Sequence, residues 1–226
     1  MKVKSLIATS VLAASAVASS VAMAEHEFSG NVGLTSNYIW RGFTQSADIS
    51  AISGGIDYGY KGFYAGTWLS SLESSNYEQD WYAGYGFDLG PTSWDIGYIM
   101  YTYPIDNTDP APELDFSEVY VNFGWQWLSA GAAYTVDKED ASVTDDKDLY
   151  LYASADFEVK GVGLGVLIGN YDFDGGSAGD YTHYKLSLSK DDFVFALEKN
   201  DAEPSEYYLG VDDPRFTVSW SKSFDF

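Results

Sequence analysis

The amino-acid sequence predicts an all-β chain, a transmembrane antiparallel up-and-down β-barrel of twelve strands. Three observations carry this. Apolar and polar residues alternate with a period of two over segments of about 9 to 13 residues. That is the length a tilted strand needs to cross a bilayer, whereas strands in soluble domains average about 5 to 6. Short and long connections alternate between the segments, as expected of tight turns on one side of a membrane and loops on the other. Aromatics make up 17% of the chain, and Trp and Tyr gather near the segment ends, where a bilayer has its interfaces.

Residues 1–24 read as a cleaved leader. Lys2 and Lys4 precede an Ala- and Ser-rich apolar run, and Ala22-Met23-Ala24 is an A-x-A cleavage signal. A membrane helix is the alternative, but its core is weakly apolar and no stop-transfer segment follows. Residues 25–226 are then a single barrel domain. The whole chain carries a formal charge of −22, and losing a leader with two lysines and no acids makes the remainder more acidic still. Such a chain lacks the basic face a nucleic-acid partner requires. It holds no cysteine, hence no disulfide or thiolate site, and its two histidines, His26 and His183, are too few for a His-rich metal centre. No cofactor is expected.

The first strand follows the leader, with Phe28, Gly30, Val32 and Leu34 on one face and Ser29, Asn31, Gly33 and Thr35 on the other. Continuing this parity puts Tyr38 and Trp40 outward into an interfacial aromatic belt. Ile39 and Arg41 then face inward, and Gly42 releases the chain into an external loop over 37–49. Further on, Trp81, Ala83, Tyr85, Phe87 and Leu89 oppose Tyr82, Gly84, Gly86 and Asp88. Trp94, Ile96, Tyr98 and Met100 oppose Asp95, Gly97, Ile99 and Tyr101. Val119 to Trp127 and Leu149 to Val159 alternate likewise, against Glu118, Tyr120 and Asn122 and against Tyr150, Tyr152, Asp156 and Glu158. The last strand sets Phe216, Val218, Trp220, Phe224 and Phe226 outward, with Lys222 as the exception near an end where it can snorkel.

Tight turns are expected at Lys61-Gly62, Gly90-Pro91, around Leu128, at Lys160-Gly161 and at Ser189 to Asp191. Longer polar links fall at 37–49, 70–79, 104–115, 137–147, 172–180 and 200–214. These connections imply twelve strands. "EYYLGV" (206–211) could be another, but an odd count would separate the termini, so it is placed within the last loop.

Two resemblances add to this reading. The terminal Phe226 resembles the recognition signal of bacterial outer-membrane proteins, which implies the barrel-assembly machinery as a partner. "SNYIWRGFTQS" (36–46), followed by "AISGGIDYGYKGFYAGTW" (51–68), resembles the start of the TorF family of porins. The matching residues are Ser36-Asn37-Tyr38, Arg41-Gly42, Gln45-Ser46, Gly54-Gly55-Ile56-Asp57-Tyr58 and Gly62 to Trp68. The resemblance implies residence in the outer membrane, among its lipids and lipopolysaccharide, and a pore. It brings no catalytic residues.

The alternation names the pore-lining candidates: Arg41, Asp57, Asp80, Asp95, Glu118, Asp156, Glu158, Lys185 and Glu198, with Asp88 and His183 on the same face. Carboxylates dominate, and acidic rings in a narrow wet passage favour cations. A weakly cation-selective channel for small solutes follows. A packed, non-conducting barrel is the alternative, because narrow barrels fill with side chains. Arg41 is either a strut on a carboxylate or a solute contact. A lipid hydrolase would need a serine beside His183, which begins its strand with no convincing nucleophile motif. The acidic stretches 136–148 and 172–180 do not fit the EF-hand spacing and read as solvated loops.

Overall fold

The computed structural model describes residues 26–73, 76–104, 115–138, 147–173, 179–202 and 213–226. The leader, the stretch 206–211 and most of the acidic loop residues lie outside them.

Fourteen strands are described. The first six are β1 (Glu27–Thr35), β2 (Ile39–Trp40), β3 (Phe43–Thr44), β4 (Ala51–Tyr60), β5 (Phe63–Ser71) and β6 (Tyr77–Leu89). Next come β7 (Thr92–Thr102), β8 (Phe116–Trp125), β9 (Leu128–Lys138) and β10 (Leu149–Val159). The last are β11 (Val162–Asp172), β12 (Tyr181–Lys190), β13 (Phe193–Asn200) and β14 (Arg215–Asp225). Twelve of them close into one antiparallel barrel in sequence order, with β1 between β4 and β14. Closure leaves no unpaired strand edge, which a hydrocarbon surround would penalise. At the seam, Phe226 N–H donates to Phe28 O at 3.0 Å. The remaining pair, β2 and β3, forms a separate two-stranded sheet.

Hydrophobic alternation sets the faces. Outward residues include Ile52, Ile56, Leu69, Trp81, Ile96, Val166, Leu186 and Phe216, all exposed in the isolated chain. Such an apolar exterior would be untenable in water but suits lipid. Rings pair across strands near the turn end: Phe63 with Tyr85 (4.6 Å), Trp94 with Phe123 (5.1 Å) and Trp127 with Phe157 (5.0 Å). Lys222, out of pattern on this face, bonds Asp192 of the β12–β13 turn at 2.9 Å.

The turns follow from backbone chemistry. Lys61-Gly62 and Lys160-Gly161 have positive φ at both residues, the two-residue geometry that matches strand twist. Two turns lie slightly off their expected places: Gln126-Trp127, because β9 already starts at Leu128, and Asp191-Asp192, because β12 runs on to Lys190. The expected link 70–79 contracts to 72–76, since β5 and β6 both extend further.

The core lies inside the barrel toward the loop end. Trp68, Tyr82, Ile99, Tyr101, Tyr120, Tyr150, Tyr171 and Tyr181 point in from the wall, and Tyr38, Trp40 and Phe43 of the first loop pack against them. This corrects the expectation for 37–49. The segment is an inward-folded hairpin, and Tyr38 and Trp40 contact the interior wall instead of lipid. The parity of β1 does not carry past Thr35, because β1 ends there.

Candidate functional site: the lumen and its inserted hairpin

The hairpin turns at Arg41-Gly42, between paired Trp40 and Phe43. Arg41 has φ 46° and Gly42 φ 87°, again the two-residue hairpin geometry. Gly42 is required twice over. Its φ disfavours a side chain, and a Cβ there would lie 2.6 Å from the Cβ of His183. That close approach lets the Asn200 Nδ2 donate to Gly42 O at 2.8 Å, tying the tip to β13.

Arg41 is the buried centre of the assembly. Its two terminal nitrogens donate to the two oxygens of Glu118, both at 2.7 Å. Its guanidinium carbon lies 4.3 Å from the Trp40 ring centre, 4.1 Å from that of Tyr150 and 5.2 Å from that of Tyr171. A planar cation stacked among rings and paired bidentately is the geometry guanidinium fits best. Burial disfavours the charge on Arg41, but Glu118 outweighs this and holds its pKa above the ordinary arginine value. Glu118 itself sits beside a bulge: it pairs with Thr135, whereas Ser117 pairs with Asp137, so β9 carries one extra residue.

The base of the hairpin is equally tied. Thr44 Oγ1 donates to Asn37 Oδ1 (2.6 Å), Asn37 Nδ2 donates to Asp48 Oδ1 (2.7 Å), and Tyr38 N–H donates to Ser46 Oγ (2.9 Å). Arg215 of β14 adds a 2.8 Å ion pair to Asp48. Ser36 Oγ accepts from Val218 N–H at 3.0 Å. Tyr38 Oη donates to Glu78 Oε1 of β6 at 2.6 Å. Ser36, Asn37, Tyr38, Arg41, Gly42 and Ser46, the residues that stood out in the sequence, thus shape one inserted hairpin and fasten it.

The other candidates occupy the interior face in varied settings. Asp57 accepts from Tyr82 Oη (2.5 Å), and Asp95 accepts from Tyr64 Oη (2.6 Å) and Asn122 Nδ2 (3.1 Å). Lys185 and Glu198 form an ion pair at 2.9 Å. Asp80 is 1% exposed, and its Oδ1 has no hydrogen-bond partner among the described residues. Asp156 is half-buried, and Glu158, nearest the turn end, is exposed. No ion pair among the described residues links Asp57, Glu78, Asp80, Asp95, Asp156 or Glu158 to a cation. Sequence reasoning missed Glu78, because 70–79 read as loop; its spacing of two from Asp80 was the available signal. His183, also inward, hydrogen-bonds through Nε2 with Tyr150 Oη at 2.8 Å.

Among solved structures, one from a study of the in-meso crystallization of membrane proteins aligns with a TM-score of 0.53 at 7% identity, covering 88% of this chain and 84% of that one. The KdgM porin aligns at 0.51 with 12% identity, covering 88% of this chain and 99% of that one, and so does KdgM porin in complex with disordered oligogalacturonate. At these identities the likeness is one of fold. No curated protein sequence matches the chain. The profile of a bacterial family described as of unknown function, Gcw_chp, matches residues 19–224, nearly the whole length. The chain, a closed twelve-strand barrel with its first loop turned inward, belongs to the Gcw_chp family.

Proposed function

We propose that the protein is an outer-membrane channel of the porin type that passes small solutes and weakly prefers cations. The resemblance to the TorF porins and the fold shared with KdgM porin support this reading. The observation that carries it is the charge of the interior: after Arg41–Glu118 and Lys185–Glu198 pair off, the interior carboxylates remain in excess. Low-dielectric walls focus that field on a narrow passage. The same charge argues against a polyanion such as the oligogalacturonate bound by KdgM porin. His183 engages a tyrosine and abuts the hairpin, an arrangement that favours a structural role over hydrolase chemistry.

Planar-bilayer recording of the refolded protein tests the proposal. Discrete conductance steps are expected, with a reversal potential toward the cation in a salt gradient. The preference should fade as ionic strength rises and screening shortens, to about 3 Å at 1 M. Anion preference would refute the selectivity.

The packing of the hairpin favours a second reading, a non-conducting barrel. If the intact protein is silent and a variant lacking residues 38–46 conducts, the hairpin is a plug. If both are silent, the barrel is structural.

A further inference from the structure

The wall around Glu118 has the features of a receptor, and its occupant comes from the protein's own chain. We infer that Glu118, with the ring faces of Tyr150 and Tyr171, forms a guanidinium-binding site on the barrel wall. Arg41 fills it as a tethered ligand, and the site accepts the guanidinium end of a diffusing solute when the hairpin is displaced. The inference deepens the cation-channel reading by naming a solute class, and it rests on that reading for its biological use.

Four observations point this way. Glu118 is 1% exposed, and its described partners are the Arg41 guanidinium and Tyr101 Oη at a long 3.3 Å. Without Arg41 it would be a buried carboxylate with one weak contact, a costly state that is relieved by taking up a proton or by a cation seated in Arg41's place. The pairing is fork-to-fork, 2.7 Å on both arms, which selects a planar two-donor cation over a spherical one. Tyr150 and Tyr171, which stack on the guanidinium, belong to β10 and β11, so both rings stay with the wall when the hairpin leaves. Finally, Arg41 arrives on a loop, whose tether presents it at an effective concentration on the order of millimolar. A solute present at that level can compete, since both bear the same group.

The test removes the tethered ligand and supplies a free one. Arg41→Ala protein, refolded in detergent, is heated with low-millimolar guanidinium chloride, methylammonium chloride or sodium chloride. Guanidinium should raise its melting temperature at concentrations about tenfold below those methylammonium needs, because only guanidinium makes the bidentate pair. The double variant Arg41→Ala/Glu118→Gln should show no such difference. If Arg41→Ala fails to assemble, its refolding yield becomes the readout, and guanidinium should restore it. Equal effects of the three salts on Arg41→Ala, or the same guanidinium effect in the double variant, would overturn the site. These readouts do not depend on conduction. A silent bilayer with guanidinium rescue defeats the channel and leaves the site; conduction without rescue does the reverse.

Discussion

At the scale of single residues, the interior is organised by pairing buried charge. Glu118→Gln keeps the shape of the site but leaves Arg41 as a buried cation without its counter-charge. Breaking such a pair costs about 3–5 kcal/mol, and denaturant unfolding in detergent should register it as a large loss of stability. Gly42 and Gly90 offer a matched comparison. Both have positive φ, 87° and 62°, but a Cβ at Gly42 would strike His183, whereas nothing lies within 4 Å at Gly90. Gly90→Ala should therefore cost only the backbone term, about 1 kcal/mol. Gly42→Ala should also unseat the hairpin, exposing Trp40 and shifting its fluorescence to longer wavelength, with the barrel strands intact by circular dichroism. A protein in which the two substitutions behave alike would mean the tip is not docked.

At the scale of elements, the strands were legible and the hairpin was not. Alternation placed Tyr82, Asp95, Glu118 and Tyr150 on the interior face because a strand repeats every two residues whatever its partners. The hairpin fails that logic. Tyr38 and Trp40 are spaced like outward residues of a continuing β1, but the chain bends after Thr35. Arg41-Gly42 flanked by Trp40 and Phe43 was a usable hairpin signal, since a glycine in a two-residue turn marks that geometry. What no local pattern could supply was where the hairpin goes. Its contacts are spread over β5 to β8 and β10 to β14, most of them far along the chain. Excising residues 38–46 and closing the gap with a short turn should leave the barrel assembled, as judged by gel mobility. Single-channel conductance should rise severalfold above wild type. Unchanged conductance would mean that the ion path bypasses the hairpin.

For the whole molecule, closure is the dominant fact. Every barrel strand has two hydrogen-bonded neighbours, so the sheet should persist in detergent until heated. Unheated protein should therefore migrate faster in gels than boiled protein. A single band position with and without heating would contradict a closed barrel. The hairpin then imposes an order on assembly. Arg41 meets Glu118 across 77 residues of chain, and Asn200 meets Gly42 across 158. The wall that receives the tip does not exist until β8 to β13 are in place, although the hairpin precedes all of them in the chain. Contacts so distant in sequence form late, because the intervening chain must be ordered first. During refolding, Trp40 should therefore leave water only after β8 to β13 have formed. The lumen is therefore expected to be filled after the wall that faces it is built, by a segment that precedes that wall in the chain.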